Sequence, residues 1–256
     1  MLLARPARWL VLPDQQVPYH DKRTLAAVMQ YASEYRWDGC INLGDFLDFN
    51  EISRWEEGNA RSNKTASLAR SYEAGRAVLD NQLQAVRARN RSARYVLIEG
   101  NHDARIHAYL DKNPEAEGLV EVPVGLELAK RRVEWVPYWT EGTLFRLGNA
   151  YFAHGRATSK YHAASMLDKY GVCLYYGHTH DIQTYSKERW GDDKTLEAGS
   201  LGCLCRYDQG YLQGSPTSWQ QAFAVFHVLP SGYYQRFVVR VFNHRFISPE
   251  GVEYHG

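Results

Sequence analysis

In the N-terminal half of the chain, short apolar runs alternate with longer stretches whose apolar residues recur every three or four positions. The run Trp9-Leu10-Val11-Leu12 predicts a strand that stops at Pro13-Asp14. From Asp21, a helix N-cap residue type, Leu25, Val28, Met29 and Ala32 keep helical spacing as far as Trp37, and Gly39 closes the segment. Cys40-Ile41-Asn42-Leu43 predicts a second strand. A long helix rich in Ala, Gln and Arg then runs to about Arg89, and Tyr95-Val96-Leu97-Ile98 predicts a third strand. This order implies parallel pairing with helices on the sheet faces.

The second half differs. Residues 133–136, 143–146 and 151–153 read as close-set strands separated by turn residues. A helix over 159–170 interrupts them, a strand over 172–176 follows, and the rest is nearly all strand and turn through Val239. The fold expected is α/β, with two packed mixed β-sheets flanked by helices. It forms a single domain over 1–256 with a cap or insertion around residues 50–90.

Composition adds bounds. The 256 residues are 45% hydrophobic and 23% charged, with 30 basic and 29 acidic side chains and a net charge of +1. A chain of this length buries roughly 70–75% of its unfolded surface and needs no disulfide framework. Near-zero net charge means that any nucleic-acid contact comes from a local patch. No apolar run reaches the roughly 20 residues of a membrane helix, and the N-terminus reads as a strand rather than a signal peptide, which places the protein in the cytoplasm. Cys40 and Cys173 sit in apolar runs as small buried hydrophobes, and Cys203 and Cys205 lack a second pair at zinc-finger spacing, so no thiolate zinc site is expected. Neither an apolar edge nor a heptad points to a dimer.

Five groups of polar residues stand immediately after apolar runs, where open α/β sheets place their ligands. They are Asp14-Gln15-Gln16, Gly44-Asp45-Phe46-Leu47-Asp48, Gly100-Asn101-His102-Asp103, His154-Gly155 and Gly177-His178-Thr179-His180. Any one of them is ordinary. Together they supply an oxygen- and nitrogen-rich donor set suited to manganese, iron or zinc. The glycines let the backbone turn sharply beside the donors.

The order and type of these motifs resemble the calcineurin-like metallophosphoesterase family, whose pattern is D-x-H, G-D-x-x-D, G-N-H-[DE], H and G-H-x-H. The resemblance covers about Trp9 to Gln183. Ala198-Gly199-Ser200 and Ser218-Trp219-Gln220-Gln221 resemble bacteriophage members more loosely. The family implies two divalent ions, manganese foremost, with iron, zinc, nickel or magnesium as alternatives. Asp14, Asp45 and His180 would hold the first, and Asp45 would bridge to the second, held also by Asn101, His154 and His178. The resemblance further implies a bridging hydroxide as nucleophile, with His102 over the leaving group and Asp48 orienting it.

The chain departs from the family at two positions. Where the first motif ends in His, this sequence has Gln16. Its amide oxygen either ligates, favouring manganese or magnesium, or leaves the first ion weakly held until substrate arrives. His20 is a substitute donor or a structural residue. Phe49 stands where phosphoprotein phosphatases of this fold carry a phosphate-binding Arg. Arg54, Trp55, Arg61, Lys64 and Arg70 form either a basic, aromatic cap over the ions or a solvated insertion.

The function expected is hydrolysis of phosphate esters, foremost a phosphodiester of a nucleotide or nucleic acid. The alternatives are a phosphomonoesterase on small nucleotide or sugar phosphates and a non-catalytic protein-binding scaffold. The partner implied is a phosphate-ester substrate, with no membrane contact.

Overall fold

The central strands carry apolar side chains on both faces, which is stable only when both faces are covered. The computed structural model, which describes residues 5–52, 64–189, 191, 194–208 and 217–256, covers them with a second sheet on one side and helices on the other. The chain runs through β1 (Ala7–Leu12), α1 (Lys22–Glu34), β2 (Gly39–Asn42), α2 (Lys64–Arg87), β3 (Arg94–Ile98), α3 (Arg105–Leu110), α4 (Val122–Gly125), α5 (Leu128–Arg131), β4 (Glu134–Val136) and α6 (Tyr138–Glu141). It continues through β5 (Phe145–Leu147), β6 (Ala150–Phe152), α7 (His162–Tyr170), β7 (Leu174–Tyr176), β8 (Ile182–Arg189), β9 (Lys194–Leu201), β10 (Ala222–Val228), β11 (Tyr234–Arg240), β12 (Arg245–Ile247) and β13 (Glu253–His255).

One mixed sheet has the order β11-β10-β1-β2-β3-β4, with β1 to β4 parallel; the other has the order β5-β6-β7-β9-β8, with β6, β7 and β9 parallel. Alternation along β1 shows how the layers divide. Leu10 and Leu12 pack towards α1 and α2, while Trp9 and Val11 pack towards Phe152, Tyr175 and Leu174 of the second sheet. The same split recurs in β3, with Tyr95 and Leu97 on the helix side and Val96 and Ile98 between the sheets.

Two local readings are corrected by the structure. The Asp21 carboxylate caps α1 by accepting from Arg23 and Thr24 N–H, but the helix stops at Glu34, short of Trp37. The buried Trp37 indole instead donates to Ala32 O at 2.8 Å, taking up a carbonyl that the helix end leaves open. Gly39 is the first residue of β2 rather than a helix terminator, and it lies opposite Trp9. A Cβ there would stand 2.3 Å from the Trp9 ring, so the glycine makes room for the indole.

Arg54, Trp55 and Arg61 of the expected cap lie outside the described residues. Lys64 and Arg70 fall on α2, whose Leu68, Tyr72, Leu79, Leu83 and Val86 are buried in the helix-side core. Phe49 is fully buried edge-on to Tyr72, so at this position the chain has packing in place of a surface Arg. No helix among the described residues is long and apolar enough to cross a membrane.

Gly39→Ala forces the new methyl into the Trp9 ring. It is expected to cost about 1–3 kcal/mol, read as a lower urea midpoint; an unchanged midpoint contradicts this packing.

Candidate metal centre

All five polar groups follow strands that run in the same direction within their sheets, so they emerge at one end of the molecule. Asp14 follows β1, Asp45 follows β2, Asn101 and His102 follow β3, His154 follows β6, and His178 and His180 follow β7. The turns are hydrogen-bonded to one another. Gln16 N donates to Asp45 O at 2.8 Å, Val17 N to Phe46 O at 2.8 Å and Asp48 N to Val17 O at 3.0 Å. The buried Asp103 carboxylate accepts from Leu47 N at 2.9 Å and Gly100 N at 3.0 Å, fastening the β2 turn to the β3 turn. Below them, Gln82 of α2 donates to Gln15 Oε1 and accepts from the Tyr95 hydroxyl, linking a helix to the β1 turn.

The two aspartates that point into this end are nearly inaccessible to solvent, and backbone N–H groups come to meet them. His178 N donates to Asp14 Oδ2 at 2.6 Å, and His102 N donates to Asp45 Oδ1 at 2.8 Å. Such close approach explains two of the glycines. A Cβ on Gly177 would lie 1.9 Å from Asp14 Oδ1, and one on Gly100 would lie 2.2 Å from Asp45 Oδ1. Neither has a positive φ. Sharp turning is the need at Gly44 and Gly155, with φ of 99° and 102°. The donors themselves carry strain: Gln16, Asp45, His178 and His180 all have left-handed backbones, with φ of 51°, 47°, 69° and 59°.

The side chains fall into two adjoining groups. In one, Asn101 Oδ1 lies 2.9 Å from His154 Nε2 and 2.8 Å from His178 Nδ1, the two imidazole nitrogens are 3.2 Å apart, and Asp45 Oδ1 is 3.4 Å from His154 Nε2. In the other, His180 Nε2 lies 3.0 Å from Asp14 Oδ2 and 3.4 Å from the Gln16 amide, and Asp14, Asp45 and His180 present ligand atoms all within 4.8 Å of one another. All seven residues singled out for metal ligation therefore meet. His102 and Asp48 stand beside them, with His102 Nδ1 3.0 Å from Asp48 Oδ1 and His102 Nε2 3.8 Å from Asp45 Oδ2.

Donor chemistry favours a cation here. His154 Nδ1 donates to Leu43 O at 3.0 Å, which aims the Nε2 lone pair at the Asn101 and Asp45 oxygens. Lone pairs crowded at 2.8–3.4 Å repel unless a positive charge sits among them. These spacings match the edges, about 3.0–3.4 Å, of an octahedron or tetrahedron of donors about 2.1 Å from a central ion. Asp14 Oδ1 is buried with no hydrogen-bond partner. Without an ion, a proton takes the charge: burial opposes it on His154, but Asp45 and Asp14 outweigh burial and lift the imidazole to about 9. Burial and the charged His154 push His178 down to about 4. For Asp45, burial opposes ionisation, yet His154 and His102 hold it well below the usual carboxylate range. Burial and the Asp45 charge raise Asp103 to about 7.

Several contributors escaped sequence reasoning. Arg105, which sequence reasoning left unassigned between a phosphate contact and a polar helix start, donates from Nη1 to Asp48 O at 2.7 Å and places Nη2 3.3 Å from His102 Nε2. Half-buried tryptophans flank the histidines: Trp219 lies 4.2 Å from the His180 ring, and Trp139 lies 5.7 Å from the His178 ring with the Arg156 guanidinium 4.5 Å above it. Cys203 and Cys205, for which sequence spacing offered no ligand partner, come beside the polar groups, with both thiols within 4.8 Å of a His180 nitrogen. Their signal was the strand end: β9 runs parallel to β7, so the residues after Leu201 emerge beside His180.

No family model matches the chain. It is similar to the Gene 54 protein of Mycobacterium phage L5, 25% identical over 235 residues that cover 86% of this chain and 89% of that protein. The Gene 54 protein of Mycobacterium phage D29 is likewise 25% identical, over 242 residues with the same coverage. Similar solved structures include Vps29 of Chaetomium thermophilum, with TM-score 0.47, 11% identity, and 98% of this chain and 95% of that chain covered. Another is Vps29 of Entamoeba histolytica complexed with zinc, with TM-score 0.42, 12% identity and 97% of both chains covered.

Proposed function

We propose that this protein is a phosphoesterase working with two divalent ions, and that its substrate is a phosphodiester of a nucleotide or nucleic acid. The observation that carries the reading is the convergence of Asp45, Asn101, His154 and His178 on one point beside Asp14 and His180, with a His–Asp pair at its edge. Asp45 lies in both donor groups and is the residue that would bridge two ions. Manganese fits the oxygen-rich set that includes Gln16, and iron, zinc, nickel and magnesium are the alternatives. Such ions supply Lewis-acid polarisation of a phosphoryl oxygen and an activated water near neutral pH.

The chain's own residues do the rest. Asp48 accepts the Nδ1 proton of His102, which fixes the ring orientation and tautomer. His102 then presents Nε2 towards the site as the group that protonates a departing alkoxide. Once Nε2 carries a proton, it no longer accepts from Arg105 Nη2, and that guanidinium arm is free to pair with a phosphoryl oxygen. Trp139 and Trp219 offer flat faces beside the donors, and this supports the nucleotide assignment through base stacking.

Two outcomes test this reading. With metal-stripped protein and manganese restored, hydrolysis of a dinucleoside phosphodiester, whose leaving group is an alkoxide, is expected to fall about 10²–10⁴-fold in His102→Ala. Unchanged turnover would remove His102 from the mechanism. Metal affinity is expected to rise about tenfold per pH unit from pH 6 to pH 8, because the ion displaces a proton from His154, whose pKa of about 9 lies above that window. Calorimetric titration reads this slope directly, and an affinity flat with pH would exclude His154 from the ligand set.

A further inference from the structure

Cys203 and Cys205 lie one residue apart in extended backbone, which points both side chains to one face. Their segment is held rigidly. Cys203 N donates to Gln220 O at 3.0 Å, Leu204 N to Asp14 O at 2.8 Å, and Gln221 Nε2 to Cys205 O at 3.1 Å. Both residues are fully buried, and so is all but a small part of His180. The imidazole is turned so that Nε2 faces Asp14 at 3.0 Å while Nδ1 faces Cys205 Sγ at 3.8 Å. Trp219 packs against the same ring, its centroid 4.2 Å away. Directly across from Cys205 stands His20, 8% exposed, whose buried Nδ1 has no hydrogen-bond partner.

We propose that His180 Nδ1, Cys203 Sγ and Cys205 Sγ form a soft-metal site of the zinc class, on the opposite edge of the imidazole from Asp14. All three ligand atoms lie within 4.8 Å of one another. A tetrahedral zinc ion, with bonds of about 2.3 Å to sulfur and about 2.1 Å to nitrogen, sets its donors about 3.6–3.8 Å apart. The 3.8 Å from Cys205 Sγ to His180 Nδ1 falls in that range. Thiolate donors select zinc, cadmium or cobalt over manganese and magnesium, so this site and the oxygen-rich one beside Asp45 would take different ions. Binding releases the two thiol protons to solvent, and the ion's two charges replace them. His180 becomes the shared element: one ring nitrogen serves the thiol site and the other faces Asp14. The proposal is independent of the phosphoesterase reading, because its test reads no turnover.

The experiment is titration of the metal-stripped, reduced full-length chain with cobalt(II), followed by its near-ultraviolet thiolate-to-metal charge-transfer band. The band is expected in the wild-type chain, at about half intensity in Cys203→Ser and in Cys205→Ser, and absent from the double variant. It is also expected in Asp45→Asn, which separates this site from the neighbouring one. No band at saturating cobalt, or a band that survives in the double variant and so arises from Cys40 or Cys173, overturns the proposal. Zinc X-ray absorption on the wild-type chain makes the test independent of variant folding. Sulfur neighbours at about 2.3 Å support the site, and a shell of nitrogen and oxygen alone overturns it.

Discussion

Burial of the Asp14 and Asp45 carboxylates between two sheets is the constraint on which the rest of this structure turns. A carboxylate removed from water must be given hydrogen bonds and positive charge. The backbone answers first, with the His178 and His102 amides drawn to 2.6 Å and 2.8 Å from the two carboxylates. That approach requires Gly177 and Gly100, because any side chain there would overlap the carboxylate it borders. It also puts Gln16, Asp45, His178 and His180 in left-handed backbone, at about 1–2 kcal/mol each. The parallel core strands and the Asp103 staple hold that strain in place.

Positive charge is the second requirement, and the hydrogen bonds do not supply it. In the absence of an ion, His154 carries a proton into a fully buried position. A divalent ion satisfies Asp45, Asn101, His154 and His178 together where the proton serves only a pair. The strain and the crowded lone pairs fall at the same residues, which makes this end of the fold a candidate cation site where local stability is given up at the donors. The tryptophans pack against the same histidines, Trp219 against the His180 ring and Trp139 against the His178 ring.

The strands and their order were legible because apolar runs ending at Asp14, Asp45, Asn101, His154 and His178 carry both the core and the donors in one short signal. The end of α1 was not legible. There the terminating carbonyl is taken by the Trp37 indole, which keeps an apolar residue in helical phase past the end of the helix, and Gly39 makes room for the Trp9 ring on the neighbouring strand, a contact that depends on the β1–β2 pairing. The cysteine pair was missed for a related reason. Its closeness to His180 depends on β9 lying next to β7, and β9 carries Glu197, Gly199 and Ser200, so it does not read as an apolar run. Arg105 could be located only once the β3 turn was folded back onto Asp48.

The measurement that bears most directly on this account is the electron paramagnetic resonance spectrum of the chain loaded with manganese(II). Two ions bridged by Asp45 predict an exchange-coupled spectrum at two manganese per chain, replaced in Asp45→Asn by the signal of isolated ions or of free manganese. A chain that binds no manganese and no other divalent ion, with Asp45 intact, would contradict the claim that this end of the fold is a cation site.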